Sequence, residues 1–140
     1  MKIYRLLQSQ IESKDNEKEK AVATMIVKDG YVLILKRGAS APWMPNMWNL
    51  PGGVVENDEQ LESAAIRECF EETGITPSDL SYFKSFDDKD FTLVVFTAKS
   101  DSIEVNLDFE NSDYTWVNKS NYNKYDYVPY IGSCIATVVM

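Results

Sequence analysis

The sequence predicts an α/β fold in which helices pack around a mixed β-sheet. Three features point there. Two pairs of apolar runs, rich in β-branched and aromatic residues, are each joined by a short polar turn. One long segment carries both the start and the stop signals of a helix. The 140 residues suffice for one domain, residues 1–140, with a core of its own.

Taken in order, Ile3 to Leu7 reads as a short strand. Glu12–Lys20 (ESKDNEKEK) is wholly polar and mixed in charge, as an exposed loop would be. Ala21–Val27 and Tyr31–Leu35 flank Lys28-Asp29-Gly30, and an Asp-Gly pair suits a hairpin turn that needs positive φ. Gly38 to Asn49 is a long loop containing Pro42, Trp43, Pro45 and Trp48. A loop of that length is often functional; a proline-bent cover over the core is the alternative. Asn57–Thr73 is the clearest helix, with Asn57 as cap and Gln60 completing a capping box. Gly74 stops it, and Ile75 and Pro77 follow as hydrophobic partner and breaker. Leu80–Phe86 and Phe91–Lys99 form a second hairpin around Asp87–Asp90, and Tyr114–Val117 is a short strand. Pro129–Met140 reads as a final helix with Pro129 in its first turn, against the preference of its β-branched residues.

Composition removes whole classes of chemistry. With no histidine there is no Ser-His-Asp triad, Cys-His dyad or His-based zinc site. Cys69 and Cys134 make neither a CxxC pair nor a disulfide framework, which suits a reducing cytoplasm. A net charge of −8 argues against a nucleic-acid polymer as partner, since such binding rests on Lys and Arg. No run approaches the roughly 18 apolar residues of a membrane span, and the start lacks a signal-peptide core. Catalysis by this chain would fall to carboxylates, hydroxyls, amines or a metal.

The predicted helix is at odds with itself. At about 100° per residue, Ala65, Ile66, Cys69 and Phe70 fill one apolar arc, and Glu68, Glu71 and Glu72 fill the adjacent one. Like charges at that spacing repel by about 0.2–0.5 kcal/mol per pair. They also lie in the last turns, where the helix dipole disfavours anions. A solvent-softened acidic patch beside Arg67 is one explanation. The other is a divalent-cation site, because a hard ion converts the repulsion into coordination.

The context of those glutamates is Gly53, five residues, Glu59, seven residues, then Arg67-Glu68-Cys69-Phe70-Glu71-Glu72-Thr73-Gly74-Ile75. This resembles the signature of the Nudix hydrolase family at every fixed position, with Cys69 where an aliphatic is usual. Cys69 reads as a small buried hydrophobe rather than a nucleophile. The lead-in Trp48-Asn49-Leu50-Pro51-Gly52 is also similar to the family's. The resemblance implies a Nudix-like α/β/α sandwich with a mixed β-sheet. It implies metal-dependent hydrolysis of a nucleoside diphosphate linked to another moiety, with Mg²⁺ or Mn²⁺ as cofactor. By that resemblance Glu68, Glu71 and Glu72 correspond to the catalytic, metal-holding residues, with Glu68 also the candidate base. The Gly52 carbonyl would add a ligand. Glu59 and Arg67 would brace the motif. A further acidic ligand is expected before Trp116-Val117; Glu110 is preferred and Asp113 is the second choice.

An acidic site can accept a polyphosphate only together with cations. Arg37, at the end of the second strand, is the candidate phosphate contact, ahead of Lys36, with a plain surface charge as the alternative. Trp43, Trp48 and Phe91 could stack on a base, or simply belong to the core. Family subtype markers are missing: Phe91 stands where a proline suggests ADP-ribose, and Phe91-Thr92-Leu93 holds no tyrosine of the dinucleoside-polyphosphate type. The expected substrate is therefore a small nucleotide, either a nucleoside triphosphate or a nucleotide-sugar. A homodimer is left open. The rival reading is a non-catalytic nucleotide-binding or regulatory module, which the intact glutamates disfavour. An isoprenyl diphosphate isomerase is disfavoured by size and by Cys69 on the apolar arc.

Overall fold

The computed structural model describes residues 18–139. The strand expected over Ile3–Leu7, and all but the last three residues of the polar segment Glu12–Lys20, lie outside them. Glu19 and Lys20, read as loop, open the first strand instead.

Strands β1 (Glu19–Lys28) and β2 (Tyr31–Arg37) form the expected hairpin. Asp29 (φ 50°) and Gly30 (φ 83°) supply the two left-handed residues of its turn. Short strands β3 (Trp48–Asn49) and β4 (Gly52–Val54) follow. Helix α1 (Leu61–Thr73) comes next, then β5 (Ser78–Asp87), β6 (Phe91–Lys99), β7 (Asn111–Val117), a 3₁₀ turn (Tyr122–Lys124) and α2 (Ile131–Val139). The sheet has seven strands in the order β3-β2-β1-β6-β5, with β4 on β1 and β7 on β2. It is mixed: β1 and β6 run parallel from Glu19↔Phe91 to Val27↔Lys99, and the other ladders are antiparallel.

The two central strands are buried on both faces, and their alternation divides the core. Val22 packs with Ala64 and Ala65 of α1, while Ile26, Leu33 and Leu35 pack with Cys69. Ala23, Met25, Val32 and Ile34 face the other way, onto Ile131, Cys134 and Ile135 of α2. The result is the α/β/α sandwich that the sequence implied.

β1 and β2 pair over just two positions beside their turn. Beyond it β1 takes β4 as neighbour (Ala21↔Val54 to Ala23↔Gly52) and β2 takes β3 (Leu35↔Asn49, Lys36↔Trp48), while β7 pairs with β2 all along, from Val32↔Val117 to Arg37↔Asn111. Gly52 is required there, because a Cβ would overlap the carbonyl oxygen of Val22. A bulge opposite Lys36/Arg37 gives β7 one extra residue, so that Arg37 stands opposite Asn111.

Three local expectations need correction. The helix begins at Leu61, not Asn57, and Gln60 precedes it without a side-chain cap. Asp58 takes φ 63°, which turns the chain, and the Glu59 side chain is committed to Arg67 rather than to a helical turn. The buried face of α1 is also rotated from the apolar arc. Ala64, Ala65, Glu68, Cys69, Glu72 and Thr73 are buried, whereas Ile66 is 37% and Phe70 57% exposed. At the other end Gly74 ends the helix as expected, at φ 76° with its N–H on the Phe70 carbonyl. The final helix starts at Ile131, after Pro129 and Tyr130 have formed a turn.

Candidate active site

The rotation of α1 carries two carboxylates inward. Glu68 and Glu72 are 1% and 2% exposed, and they lie one helical turn apart. Glu72 is held by donors from distant parts of the chain, and Glu68 by its neighbour Arg67. Glu72 Oε2 accepts the Gly52 N–H from β4 at 3.2 Å. Glu72 Oε1 accepts the Asn111 side-chain N–H at 3.4 Å, and the same amide reaches Asp108 Oδ1 at 3.2 Å. The β7 bulge is what brings Asn111 here. Glu68 Oε1 accepts from Arg67 Nη1 at 2.6 Å, while its Oε2 is buried with no donor among the described residues.

Arg67 is the brace. It binds Glu59 in a bidentate pair, Nε to Oε2 at 2.7 Å and Nη2 to Oε1 at 2.8 Å. It also reaches Glu71 Oε1 at 3.2 Å and the Val54 carbonyl at 3.3 Å. Glu59 in turn accepts the Glu56 N–H at 3.0 Å, which closes the turn before α1. One guanidinium therefore ties the entry of α1, its acidic turns and β4 together. The Arg67 hydrogen bonds hold Glu59 below the usual carboxylate range, and the Glu59 bond in turn raises the Arg67 pKa. This network answers the local repulsion that the sequence exposed in α1.

Glu72 has moved the other way. Burial first, then its contact with Glu68 and the charges of Glu68 and Asp108, push its carboxyl well above the usual range. Cys69, between the two glutamates in sequence, is fully buried, and burial pushes its thiol up to about 12. A thiol so protonated and enclosed is core, as expected, and not a nucleophile.

Arg37 is not a surface charge. It is 1% exposed, with Nε on the Trp43 carbonyl at 2.7 Å and its guanidinium 5.3 Å from the Trp43 ring centre. Burial lowers its pKa, and the charge of Glu72 opposes that shift. Its Nη1 has no partner among the described residues. Arg37, Phe109 and Glu110 line a cleft of roughly 370 Å³ together with Gly38–Pro42. Asp113 is exposed on β7 and opposite Lys36, with its carboxylate turned to the Tyr114 N–H.

A second, largely apolar cleft of roughly 210 Å³ lies on the α2 side of the sheet. Trp43, Gly52, Asp88, Phe91, Leu93 and Tyr130 are among its walls. Trp48 does not line it; its ring meets Tyr125 edge-on at 5.0 Å. Of the three expected substrate contacts, then, Phe91 and Arg37 line clefts and Trp48 packs beside them. Asn111 and Asp108 were not foreseen. The resemblance points to an acidic ligand just before Trp116, which the carboxamide of Asn111 does not match, and Asp108 lies further upstream than Glu110 and Asp113.

The donor chemistry fits a hard divalent cation: the ligands available are oxygens, and Glu68 Oε2 is a buried carboxylate oxygen without a donor among the described residues. Among the described residues no three acidic or thiol groups converge into a complete metal set. Glu71 faces Arg67 in this arrangement. No helix among the described residues is long and apolar enough to cross a membrane.

Comparison with known proteins bears directly on this arrangement. The family model described as the NUDIX domain matches residues 17–136. The nucleoside triphosphatase NudI of Escherichia coli is 32% identical over 120 residues, 75% of this chain and 85% of that protein. A nudix hydrolase of Caenorhabditis elegans is 36% identical over 84 residues, 56% of this chain but just 27% of its own length. Among solved structures, the MutT protein of Methanosarcina mazei superposes with a TM-score of 0.68 at 24% identity, covering 89% of this chain and 94% of that one.

Proposed function

The chain belongs to the Nudix hydrolase family and is a pyrophosphohydrolase; within that class we propose that it hydrolyses a nucleoside triphosphate or a nucleotide-sugar with Mg²⁺, Mn²⁺ being the alternative ion. The enzymes of this family generally use divalent cations. The observation that carries the proposal is the buried Glu68–Glu72 pair with its one donorless oxygen, next to the buried cation Arg37. Two carboxylates are costly to bury unless a cation is part of the working site.

Glu68, Glu71 and Glu72 would hold the ion, with the Gly52 carbonyl and Glu110 as further oxygen ligands. The bound ion supplies charge neutralisation of the phosphates and acidifies water. Glu68 Oε2, which carries no donor, takes the proton from the attacking water. Arg67 keeps Glu68 oriented through Oε1. Gly52 and Asn111 keep Glu72 oriented through both of its oxygens. Arg37 offers Nη1 to a phosphate oxygen. Phe91 and Trp43 present aromatic faces to the base, and Trp48, packed edge-on against Tyr125, lies outside that cleft. Residues 1–140 act as one cytoplasmic unit on a small nucleotide, with neither a nucleic-acid polymer nor a membrane as partner. NudI, by its name a nucleoside triphosphatase, supports the triphosphate choice.

The deciding experiment is a nucleotide panel assayed for phosphate or pyrophosphate release with Mg²⁺, Mn²⁺ or a chelator. Turnover that needs the cation and favours triphosphates or nucleotide-sugars is expected. Full turnover in chelator would overturn the metal assignment, and inactivity on both classes would overturn the substrate assignment.

A further inference from the structure

Asn111 is the first residue of β7, and it is buried. At the bulge Lys36 pairs with Asp113 and Arg37 with Asn111, so Ser112 is passed over and Asn111 is the residue that enters the site. The turn before it is closed on one atom. Asp108 Oδ1 accepts the Glu110 N–H at 3.3 Å and the Asn111 side-chain N–H at 3.2 Å. The Gly38 N–H holds the Glu110 carbonyl at 3.2 Å. The carboxamide nitrogen is thus anchored on Asp108, and it also donates to Glu72 Oε1 at 3.4 Å. With acceptor oxygens on both sides, the donor end of the amide must face them, one hydrogen for each. A residue that merely closed the 108–111 turn would need the Asp108 bond alone.

The bonds on the two buried glutamates differ in length and in charge. Glu68 is clamped, with the Arg67 guanidinium 2.6 Å from Oε1. Glu72 is held by neutral donors, the Gly52 N–H at 3.2 Å and the Asn111 amide at 3.4 Å. Both are longer than the roughly 2.7–2.9 Å of a charge-assisted bond. The Gly52 N–H is fixed in the β4–β1 ladder, whereas the Asn111 amide ends a side chain that can turn. A long bond from a neutral side chain yields to a divalent ion, whose attraction for a carboxylate oxygen is far larger.

We propose that Asn111 is a placeholder for the cation at Glu72: its amide holds Oε1 in the metal-free protein and gives it up to the ion, so that Asn111 keeps the empty site folded and lowers its metal affinity. Asn111 is then a positioning residue, and the orientation it gives Glu72 belongs to the metal-free protein. This rests on the metal-dependent reading above and adds to it the residue that sets how tightly the ion is held.

The test uses Mn²⁺ alone, titrated into the full chain by calorimetry without nucleotide, together with thermal melting in chelator and in saturating Mn²⁺. Asn111→Leu, of similar volume, removes both amide bonds. It should melt below wild type in chelator and yet bind Mn²⁺ about tenfold more tightly. The two effects are linked: a tenfold gain in affinity equals about 1.4 kcal/mol of stability that Mn²⁺ restores to the variant. The gap in melting temperature should therefore narrow in saturating Mn²⁺. Asn111→Ser, which shortens the side chain and crowds nothing, carries the same expectation and decides the matter if Asn111→Leu does not fold. Affinity within about twofold of wild type, with equal loss of stability in both conditions, would leave Asn111 as a turn-closing residue and overturn the proposal. Weaker binding would overturn it as well, by showing that Asn111 stays on Glu72 in the loaded site. A wild type that takes up no Mn²⁺ would refute the metal reading itself. Tighter Mn²⁺ binding by the variants of a chain that hydrolyses no nucleotide would keep the placeholder and refute the catalytic reading instead.

Discussion

The two helices attach to opposite faces of one sheet by opposite means. Helix α2 is short, and it docks through Ile131, Cys134 and Ile135, all apolar and buried. Helix α1 is longer and buries Glu68 and Glu72 alongside Ala64, Ala65 and Cys69. Its acidic turns are secured by Arg67, Gly52 and Asn111 rather than by hydrocarbon. Burial on the α2 face stabilises the fold directly. Burial on the α1 face costs solvation, and it makes sense where the buried groups have chemistry to perform. Among the described helices, the buried carboxylates thereby lie on the α1 face of the sheet and not on the α2 face.

That contrast can be broken by mutation, beginning with the largest effect. Glu68→Gln should reduce kcat on the order of 10²–10⁴-fold with the fold intact, as judged by circular dichroism and thermal melting. Near-normal turnover would remove Glu68 from the chemistry. On the other face, Ile135→Ala should cost about 2–5 kcal/mol in denaturant unfolding, with kcat changed less than twofold or so where the variant is folded. A large loss of kcat in folded Ile135→Ala would show that the faces are coupled.

A smaller effect sets two glutamates of the α1 region against each other through pH. Glu59 is held below the usual carboxylate range in the fold, so its contribution is present above its unfolded pKa. It is lost as pH falls through the folded value. Glu59→Gln should therefore destabilise by about 1 kcal/mol at pH 7, with the difference closing in acid. Glu72 is raised, so its contribution is full below its unfolded pKa and is lost as pH rises through the folded value. Glu72→Gln, melted without metal, should be more stable than wild type at pH 7 and lose that advantage as pH falls. The same sign of pH dependence in both variants would show that Glu59 and Glu72 do not differ as described. The smallest effect is expected at Phe70, 57% exposed on the outer side of α1. Phe70→Ser should shift stability by about 0.5 kcal/mol or less.

Much of this is legible in the sequence. The hairpin at Asp29-Gly30 was readable because the turn residues act locally, and Gly74 ended α1 for the same reason. The glutamates at positions 68, 71 and 72 were legible as a conflict between charge spacing and helix stability. The start of α1 was misread, because the Asn57 and Gln60 pattern looks like a capping box until Glu59 is seen bound to Arg67. The tilt of α1 was misread as well. Ile66 and Phe70 outweigh two glutamates on a helical wheel, and a wheel does not know that Gly52 and Asn111 stand ready to donate to one of them.

The sequence by itself determined most of the elements, the turn at Asp29-Gly30 and the charge conflict among Glu68, Glu71 and Glu72, because those depend on residues a few positions apart. Tertiary structure alone decided which glutamates are buried, that Arg37 is enclosed and not exposed, and that Asn111 reaches Glu72. Each of those facts depends on segments distant in sequence meeting at a bulge, a strand exchange or a helix entry, where solvation and charge are set by neighbours that no local pattern records.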